Sequence, residues 1–372
     1  KRISILFLTV IFSLGLLQAQ TEIKWQFRNI VHADSLKIQA FGKDYKMTTI
    51  YAQPYAASME YKSKTSLEPG LYWVLGDSNL VDAFLISSSK GQKFSAVVDS
   101  SKITYTGSTE NQRYHEYIDE LQNYDNMMAK LNTEFQQAQA SLPQYMLQVF
   151  VDSLTARANR ISKDKEAYQR KVMAENPGTM LASVIATGIE PPQPPKEYYQ
   201  DPSQKKLKKF FMEHYFDNFP WEDPRILNTA IAENKIKGFC NYIYQFDMPE
   251  LDTCIIKVLE AATVNETSLY EIFDRMEKIL GSNVSPYKME NSYIKMLRYM
   301  LSYKKLETAR KTRYEHELSI IDKNHQGDIL HDFRIVMSNG DTTTFHQVQS
   351  DYMLLYLQHP TCPTCREVRG RM

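Results

Sequence analysis

Two cysteines in the last part of the sequence have the spacing that thiol–disulfide exchange requires. Cys362 and Cys365 are separated by Pro363 and Thr364, and they follow an apolar run at 352–357. In such a pair one thiolate attacks a disulfide, and the second thiol, one helical turn further on, resolves the mixed disulfide. The motif predicts a dithiol redox centre in which Cys362 attacks and Cys365 resolves.

The residues beside the motif predict where Cys362 lies. Pro363 favours the first position of a helix, so that Cys362 would stand at the helix N-terminus. The unpaired amide donors and the positive end of the helix dipole stabilise a thiolate at that place. An imidazolium at His359 could add to this effect, but a loop histidine with no such role is the more common case.

A Cys-x-x-Cys pair is also half of many zinc sites, which need a second pair of ligands. Cys240 and Cys254 have thirteen residues between them, which is not a metal-ligand spacing. We therefore expect no metal and no cofactor. The same two cysteines are predicted to form either a second disulfide or two buried thiols, and buried thiols are at least as common in such apolar helical surroundings.

The elements that would position the dithiol lie directly upstream of it. Phe333, Ile335 and Met337 alternate with other residues as in a strand. Asn339 and Gly340 form a strong hairpin signal, so a second strand is expected through 343–345. The run 352–357 then predicts a buried strand that ends just before the dithiol.

After residue 20, apolar and polar residues alternate with the period of two that is typical of β-strands. Ile23, Trp25 and Phe27 alternate with polar residues, and further apolar runs stand between turns at 68–70 and 89–91. The pattern predicts a small antiparallel β-sandwich over 21–107. This segment shows no cluster of catalytic residue types, and its lone His32 is interpreted as a surface residue.

At Thr109 the hydrophobic period changes to that of helices. Thr109 and Gln112 fit a capping box, and apolar residues recur at helical spacing from Tyr114 onwards. Prolines within 191–195 predict an extended linker, 190–196, inside a helical domain that spans 108–325. Further helices are predicted at 145–154, 168–173, 205–214, 226–246, 251–262, 269–280 and 291–320.

A lysine-rich run and a group of aromatic residues in these helices could each belong to a binding surface, but a structural role is the more common one for both. The lysine-rich run 205–209 is interpreted as a solvated helix face, with Leu207, Phe210 and Phe211 on the apolar side. The aromatic residues at 239–246 could line a groove, although core packing is their more common role at helical spacing.

The first residues predict export. Lys1 and Arg2 precede an apolar run at 3–17, and polar residues follow from Gln18, which is the pattern of a signal peptide over 1–20. The run is shorter than the ~20 residues of a membrane-spanning helix, and no later run reaches that length. We expect a periplasmic or cell-envelope protein with no transmembrane segment after signal removal, and a retained N-terminal anchor is the minor alternative. Lipid anchoring is disfavoured because no cysteine precedes Cys240.

Composition limits the class of partner. The 44 lysines and arginines equal the 44 aspartates and glutamates, so no excess charge favours nucleic acid or an anionic membrane. The length accommodates two or three domains. Four cysteines are too few for a disulfide-stapled scaffold.

The segment 332–340, with Phe345, the run 352–357 and the motif 361–366, resembles the start of exported thioredoxin-like proteins of the TlpA/ResA type, the thiol:disulfide interchange family. The segments 213–218 and 223–227 are similar to a helical domain of unknown function in such proteins. The resemblance implies a multidomain α+β chain with an N-terminal antiparallel β-sandwich and a central helical domain. The start of a thioredoxin-like α/β domain would follow at 326–372.

This resemblance implies periplasmic disulfide exchange, usually as a reductant of protein disulfides supplied with electrons by a membrane protein. Cys362 and Cys365 would be the redox pair. Thr361 departs from the aromatic residue that commonly precedes the first cysteine. Later strands and a cis-proline loop would follow Met372, so we expect an incomplete, inactive fragment of an active oxidoreductase. The alternative is a non-catalytic exported binding protein whose sandwich and helical domains carry the function.

Overall fold

The computed structural model describes residues 20–28, 33–42, 44–77, 79–99, 102–323, 329–356, 359 and 361–371. The chain divides into two compact units, Lys1–Tyr299 and Met300–Met372. The predicted signal peptide, apart from residue 20, lies outside the described residues, as does His32. Among the described residues, no helix combines the length and the apolar character that a bilayer crossing requires. The predicted domain boundaries stay predictions.

The first unit begins with a β-sandwich of two four-stranded sheets. The strands are β1 (Thr21–Arg28), β2 (Ser35–Phe41), β3 (Met47–Pro54), β4 (Ser58–Ser63), β5 (Gly70–Gly76), β6 (Asn79–Ile86), β7 (Lys93–Asp99) and β8 (Lys102–Thr106). One sheet has the order β4-β1-β7-β8 and the other the order β3-β2-β5-β6. Every ladder is antiparallel except that between β1 and β7, which is parallel. The predicted sandwich is therefore confirmed, with one parallel pair.

The core of the sandwich lies between the two sheets. The alternation in β1 buries Ile23, Trp25 and Phe27 while their neighbours face outward, as the period-two pattern predicts. Trp25 meets Phe84 of the opposite sheet, with 5.4 Å between the ring centres. Strands β3, β4 and β8 were not predicted, because many of their residues are exposed and show little apolar alternation.

The rest of the first unit is helical. Its helices are α1 (Thr109–Ser141), α2 (Gln144–Glu175), α3 (Met180–Gly188), α4 (Lys205–Glu213), α5 (Ala230–Phe246), α6 (Asp252–Ala262), α7 (Glu266–Met276) and α8 (Glu290–Ser302), of which α8 continues into the second unit. Helices α1 and α2 form a long antiparallel hairpin, in which Glu134 pairs with Arg157 and Tyr117 with Gln169. The prolines at 191–195 interrupt the helices, as predicted.

Three predictions about the helices were wrong, and one helix was missed. The stretches predicted at 145–154 and 168–173 belong to one continuous helix, α2. Ser108, not Thr109, caps α1, because its side chain accepts the N–H of Asn111, while Gln112 accepts the N–H of Tyr105. The single helix predicted at 291–320 is two helices. Helix α8 ends at Ser302, turns follow at 303–307, and a second helix begins at Thr308. Helix α3 was missed because its nine residues are almost all apolar and buried, which leaves no amphipathic period.

The second unit contains α9 (Thr308–Ile321), a hairpin of β9 (Arg334–Val336) and β10 (Thr342–Thr344), and α10 (Pro363–Arg371). The predicted hairpin is confirmed, and Gly340 in its turn has a φ of 89°, a value that glycine adopts readily. The buried strand predicted at 352–357 is wrong over its described residues, 352–356. They pair with neither β9 nor β10, and Tyr352 and Leu354 are 95% and 77% exposed. Without a neighbouring strand the apolar run has no ladder to join.

Candidate functional site

The dithiol lies at the beginning of α10. Helix α10 begins at Pro363, so that Cys362 is the residue immediately before it, as predicted. The N–H of Cys365 donates a hydrogen bond to Sγ of Cys362, with 3.2 Å between nitrogen and sulfur. Both cysteines are half-buried, which leaves each accessible in part. The structure thus brings the two predicted site residues together on one turn of helix.

The loop before the dithiol is held by His359 and Thr361. The carbonyl oxygen of His359 accepts the N–H of Cys362 at 3.1 Å, which fixes the backbone where the helix begins. The imidazole Nδ1 of His359 lies 3.0 Å from the hydroxyl oxygen of Thr361. The threonine that replaces the expected aromatic residue therefore has a partner within its own loop. The interpretation that His359 has no role at the thiolate stays a prediction.

Sequence reasoning missed a tyrosine that contacts the dithiol turn. The hydroxyl of Tyr356 donates to the carbonyl oxygen of Cys365, with 2.9 Å between the oxygens. Partial desolvation, and then the nearby thiols of Cys365 and Cys362, raise the pKa of Tyr356, so the phenol remains a donor at neutral pH. The sequence signal was weak, because Tyr356 stands inside an apolar run and was interpreted only as part of a strand.

The other two cysteines are separate buried thiols in the first unit. Cys240 on α5 and Cys254 on α6 are 0% and 1% exposed, and neither forms a disulfide. Burial raises the pKa of both thiols. Of the two alternatives for this pair, the structure shows the buried thiols. Within the described part of the chain, no group of three or more His, Cys, Asp or Glu side chains is placed to hold a metal ion.

A buried polar cluster joins the two sheets to α1. The carboxylate of Asp82 accepts hydrogen bonds from Trp25 Nε1 at 2.8 Å and from the hydroxyl of Tyr105 at 2.6 Å. His115 Nε2 lies 3.0 Å from Asp82 Oδ1 and the same distance from the carbonyl oxygen of Ala83. Burial, followed by the charge of Asp82, raises the pKa of Tyr105. Since all four residues are at most 8% exposed, the cluster is inaccessible to a substrate and stabilises the junction.

A second cluster fixes the helices to the sandwich through Arg225. Its guanidinium donates to the carbonyl oxygens of Ser87 at 2.8 Å and Gly178 at 2.9 Å, and it pairs with Asp223 at 2.7 Å. Burial tends to raise the pKa of the Asp223 carboxyl. Hydrogen bonds from Arg225 and Ser183 outweigh it and hold that pKa below its usual value. Arg225 therefore joins the end of β6 to the segment before α3 and to the turn before α5.

A third contact covers a buried ion pair. Arg275, only 2% exposed, pairs with Glu233 at 3.2 Å and donates to the carbonyl oxygen of Leu227 at 2.6 Å. The ring of Tyr45, from the turn between β2 and β3, lies 4.5 Å from the Arg275 guanidinium carbon. A cation beneath an aromatic ring is stabilised by the ring's negative face. This contact therefore stabilises the packing of the sandwich against α7.

Comparison with known proteins gives two findings. Residues 161–324 match a family described as a domain of unknown function, DUF5106. The crystal structure of a thioredoxin-like protein from Bacteroides caccae ATCC 43185 is similar over 48% of this chain, at 24% sequence identity and a TM-score of 0.40. The match covers 63% of that protein's chain, which is less than two thirds of its length. No curated protein matches this chain. The predicted similarity of the helical region to a domain of unknown function is thereby confirmed.

Proposed function

We propose that Cys362 and Cys365 form the redox centre of a thiol–disulfide oxidoreductase, an exported thioredoxin-like protein of the TlpA/ResA type. The observation that carries this proposal is the hydrogen bond from the N–H of Cys365 to Sγ of Cys362 at the start of α10. A sulfur that accepts an amide at a helix N-terminus is stabilised as the thiolate, which is the nucleophile in disulfide exchange.

The chemistry takes two steps. The thiolate of Cys362 attacks one sulfur of a substrate disulfide, so that a Cys362–substrate S–S bond forms while the substrate S–S bond breaks. The leaving thiolate takes a proton from solvent. Cys365 then loses its proton and attacks Sγ of Cys362, which releases the second substrate thiol. Two electrons pass from the dithiol to the substrate, and a Cys362–Cys365 disulfide remains.

The roles of the surrounding residues follow from their contacts. His359 and Tyr356 each fix one end of the dithiol turn, through the N–H of Cys362 and the carbonyl oxygen of Cys365. The substrate class is a protein disulfide, the direction reductive and the electron donor a membrane protein of the same compartment. The apolar run at 3–17 supports export, and the expected compartment is the periplasm or cell envelope.

Equilibration of the chain with glutathione redox buffers tests the proposal. Peptide mapping would measure the fraction of Cys362–Cys365 disulfide at each ratio, which separates this pair from Cys240 and Cys254. A reductant is expected near the thioredoxin potential of about −270 mV, far from the about −120 mV of a strong oxidant. Absence of that disulfide at every ratio would refute the proposal and favour the non-catalytic alternative.

Two matched variants test the assignment of roles. Cys365→Ser removes the resolving thiol, so oxidised glutathione should accumulate as a mixed disulfide on Cys362. Cys362→Ser leaves only the resolving thiol, which should form that adduct much more slowly. Equal rates of adduct formation in the two variants would contradict the attacking role of Cys362.

A further inference from the structure

The Pro-rich segment and α4 enclose a groove in the first unit that no step of thiol exchange uses. It has a volume of about 380 Å³, which is in the size range of small-molecule sites. Its apolar lining is Pro192, Pro194, Tyr199, Leu207, Phe210, Phe211 and Phe246. We call these residues, together with Gln204 and Lys208, the α4 groove.

Aromatic neighbours hold the walls of the α4 groove in place. The ring of Phe210 meets Tyr198 edge-on at 5.9 Å, and that of Phe211 meets Tyr242 at 5.4 Å. Tyr242 in turn stacks on Phe246 at 5.6 Å. Rings in contact on several sides lose little further freedom when a ligand enters, so the groove is largely preformed.

The ammonium group of Lys208 lies beside the apolar lining of the α4 groove. Lys208 Nζ lies 5.0 Å from the centre of the Phe246 ring, and no carboxylate of the described residues pairs with it. Lys205, Lys206 and Lys209 are exposed on the same helix, and they increase the positive potential around Lys208. The groove therefore offers an apolar surface beside an ammonium group without an acidic partner.

The backbone at the groove is also unusual. Gln204, which immediately precedes α4 and lines the groove, has a φ of 56°, in the left-handed region that disfavours residues other than glycine. Tyr45, Asp77 and Asp247 adopt the same backbone region elsewhere in the chain. Binding is therefore inferred from the apolar lining and from Lys208 alone.

We infer that the α4 groove binds a small apolar carboxylate, with the apolar body against Phe210, Phe211 and Leu207 and the carboxylate on Lys208. Charge complementarity selects this class of ligand. A cation would be repelled by the four lysines of α4, and a neutral apolar molecule would leave the Lys208 ammonium without an anionic partner. The inference does not depend on the redox proposal, because the groove lies in a different unit from the dithiol.

Calorimetric titration of the full chain with decanoate, decan-1-ol and decylammonium tests the inference. The three probes share one apolar chain and differ in head-group charge. Decanoate should bind at one saturable site, about fivefold more tightly than decanol, since a solvent-accessible ion pair contributes up to about 1 kcal/mol. Decylammonium should show no saturable binding. Lack of saturation with decanoate, or equal affinities for decanoate and decanol, would overturn the inference.

Variants of α4 locate the site. Lys208→Gln should remove the preference for decanoate over decanol, whereas Lys208→Arg should retain it. Lys209→Gln is the matched control, because Lys209 is exposed on the same helix outside the groove lining, and it should change the affinity less than twofold. Leu207→Trp should block all binding by filling the groove. Equal losses in Lys208→Gln and Lys209→Gln would assign the binding to general charge and refute this site.

Discussion

The phenol of Tyr356 is hydrogen-bonded to the carbonyl oxygen of Cys365, with 2.9 Å between the two oxygens. The contact joins the segment before the dithiol to the first turn of α10. Cys365 is the predicted resolving thiol, and its attack requires its sulfur to approach Cys362. In the proposed exchange we therefore expect Tyr356 to be a positioning residue for the second step rather than a reactant.

The substitution Tyr356→Phe should slow resolution and leave the first attack unchanged. Loss of one hydrogen bond of about 1 kcal/mol corresponds to an about fivefold longer lifetime of the mixed disulfide on Cys362. Quenched-flow alkylation with mass analysis would measure both steps. Tyr352→Phe is the control, because Tyr352 is 95% exposed. If both variants resolve at the wild-type rate, Tyr356 has no positioning role.

The four cysteines should differ in their rates of alkylation in the folded chain. Iodoacetamide at pH 7 should modify Cys362 first, since thiolate character and access together determine the rate. Cys240 and Cys254 are almost fully buried and should react at least tenfold more slowly until urea unfolds the chain. Peptide mapping over time gives each rate. Rapid modification of Cys240 in the folded chain would contradict the buried thiols.

Stability should fall at alkaline pH in part because of Cys240. Burial raises the pKa of this thiol, so above pH 8.5 the unfolded state loses a proton that the folded state retains. The free energy of unfolding then decreases by up to about 1.4 kcal/mol for each pH unit from this group. The stabilising effect is present below pH 8.5 and declines towards the folded-state pKa. Buried tyrosines such as Tyr114, whose pKa is raised to about 12, add to the decline above pH 10.

Comparison with Cys240→Ala isolates the thiol. Urea unfolding at pH 7.5, 9 and 10 should show a smaller decline with pH in the variant than in the wild-type chain. The pH dependence is the informative quantity, because the lost side chain lowers stability by a similar amount at every pH. Parallel declines in the two proteins would show that the thiol does not contribute.

Arg225→Ala should destabilise the first unit. The variant leaves Asp223 partly buried without its cation and frees the carbonyl oxygens of Ser87 and Gly178, at a cost of about 2–3 kcal/mol. Urea denaturation followed by circular dichroism measures the loss. Arg170→Ala is the control, since Arg170 and Glu166 form an exposed pair on α2, and pairs of that kind contribute little. Equal losses in both variants would show that Arg225 does not anchor the junction.

The elements that the sequence predicted correctly are those whose signals are local. The alternation of Ile23, Trp25 and Phe27 identified β1, and Asn339 with Gly340 identified the hairpin turn. Pro363 placed Cys362 at the start of α10, because a proline at the first helical position requires no partner from elsewhere in the chain. The placement of the two cysteines at the start of a helix could therefore be predicted without the structure.

The sequence by itself thus determined the hydrophobic period of each segment and the spacing of its reactive side chains. Only the tertiary structure decided which distant residues and strands contact one another. Arg225 and Ser87 are 138 positions apart, the parallel pairing of β1 with β7 spans most of the sandwich, and Tyr356 contacts the dithiol only through the folded loop. The run at 352–356 has the apolar character of a strand but no ladder. A paired strand or a binding groove requires residues from distant segments. The local spacing of residues does not specify which segments pack together.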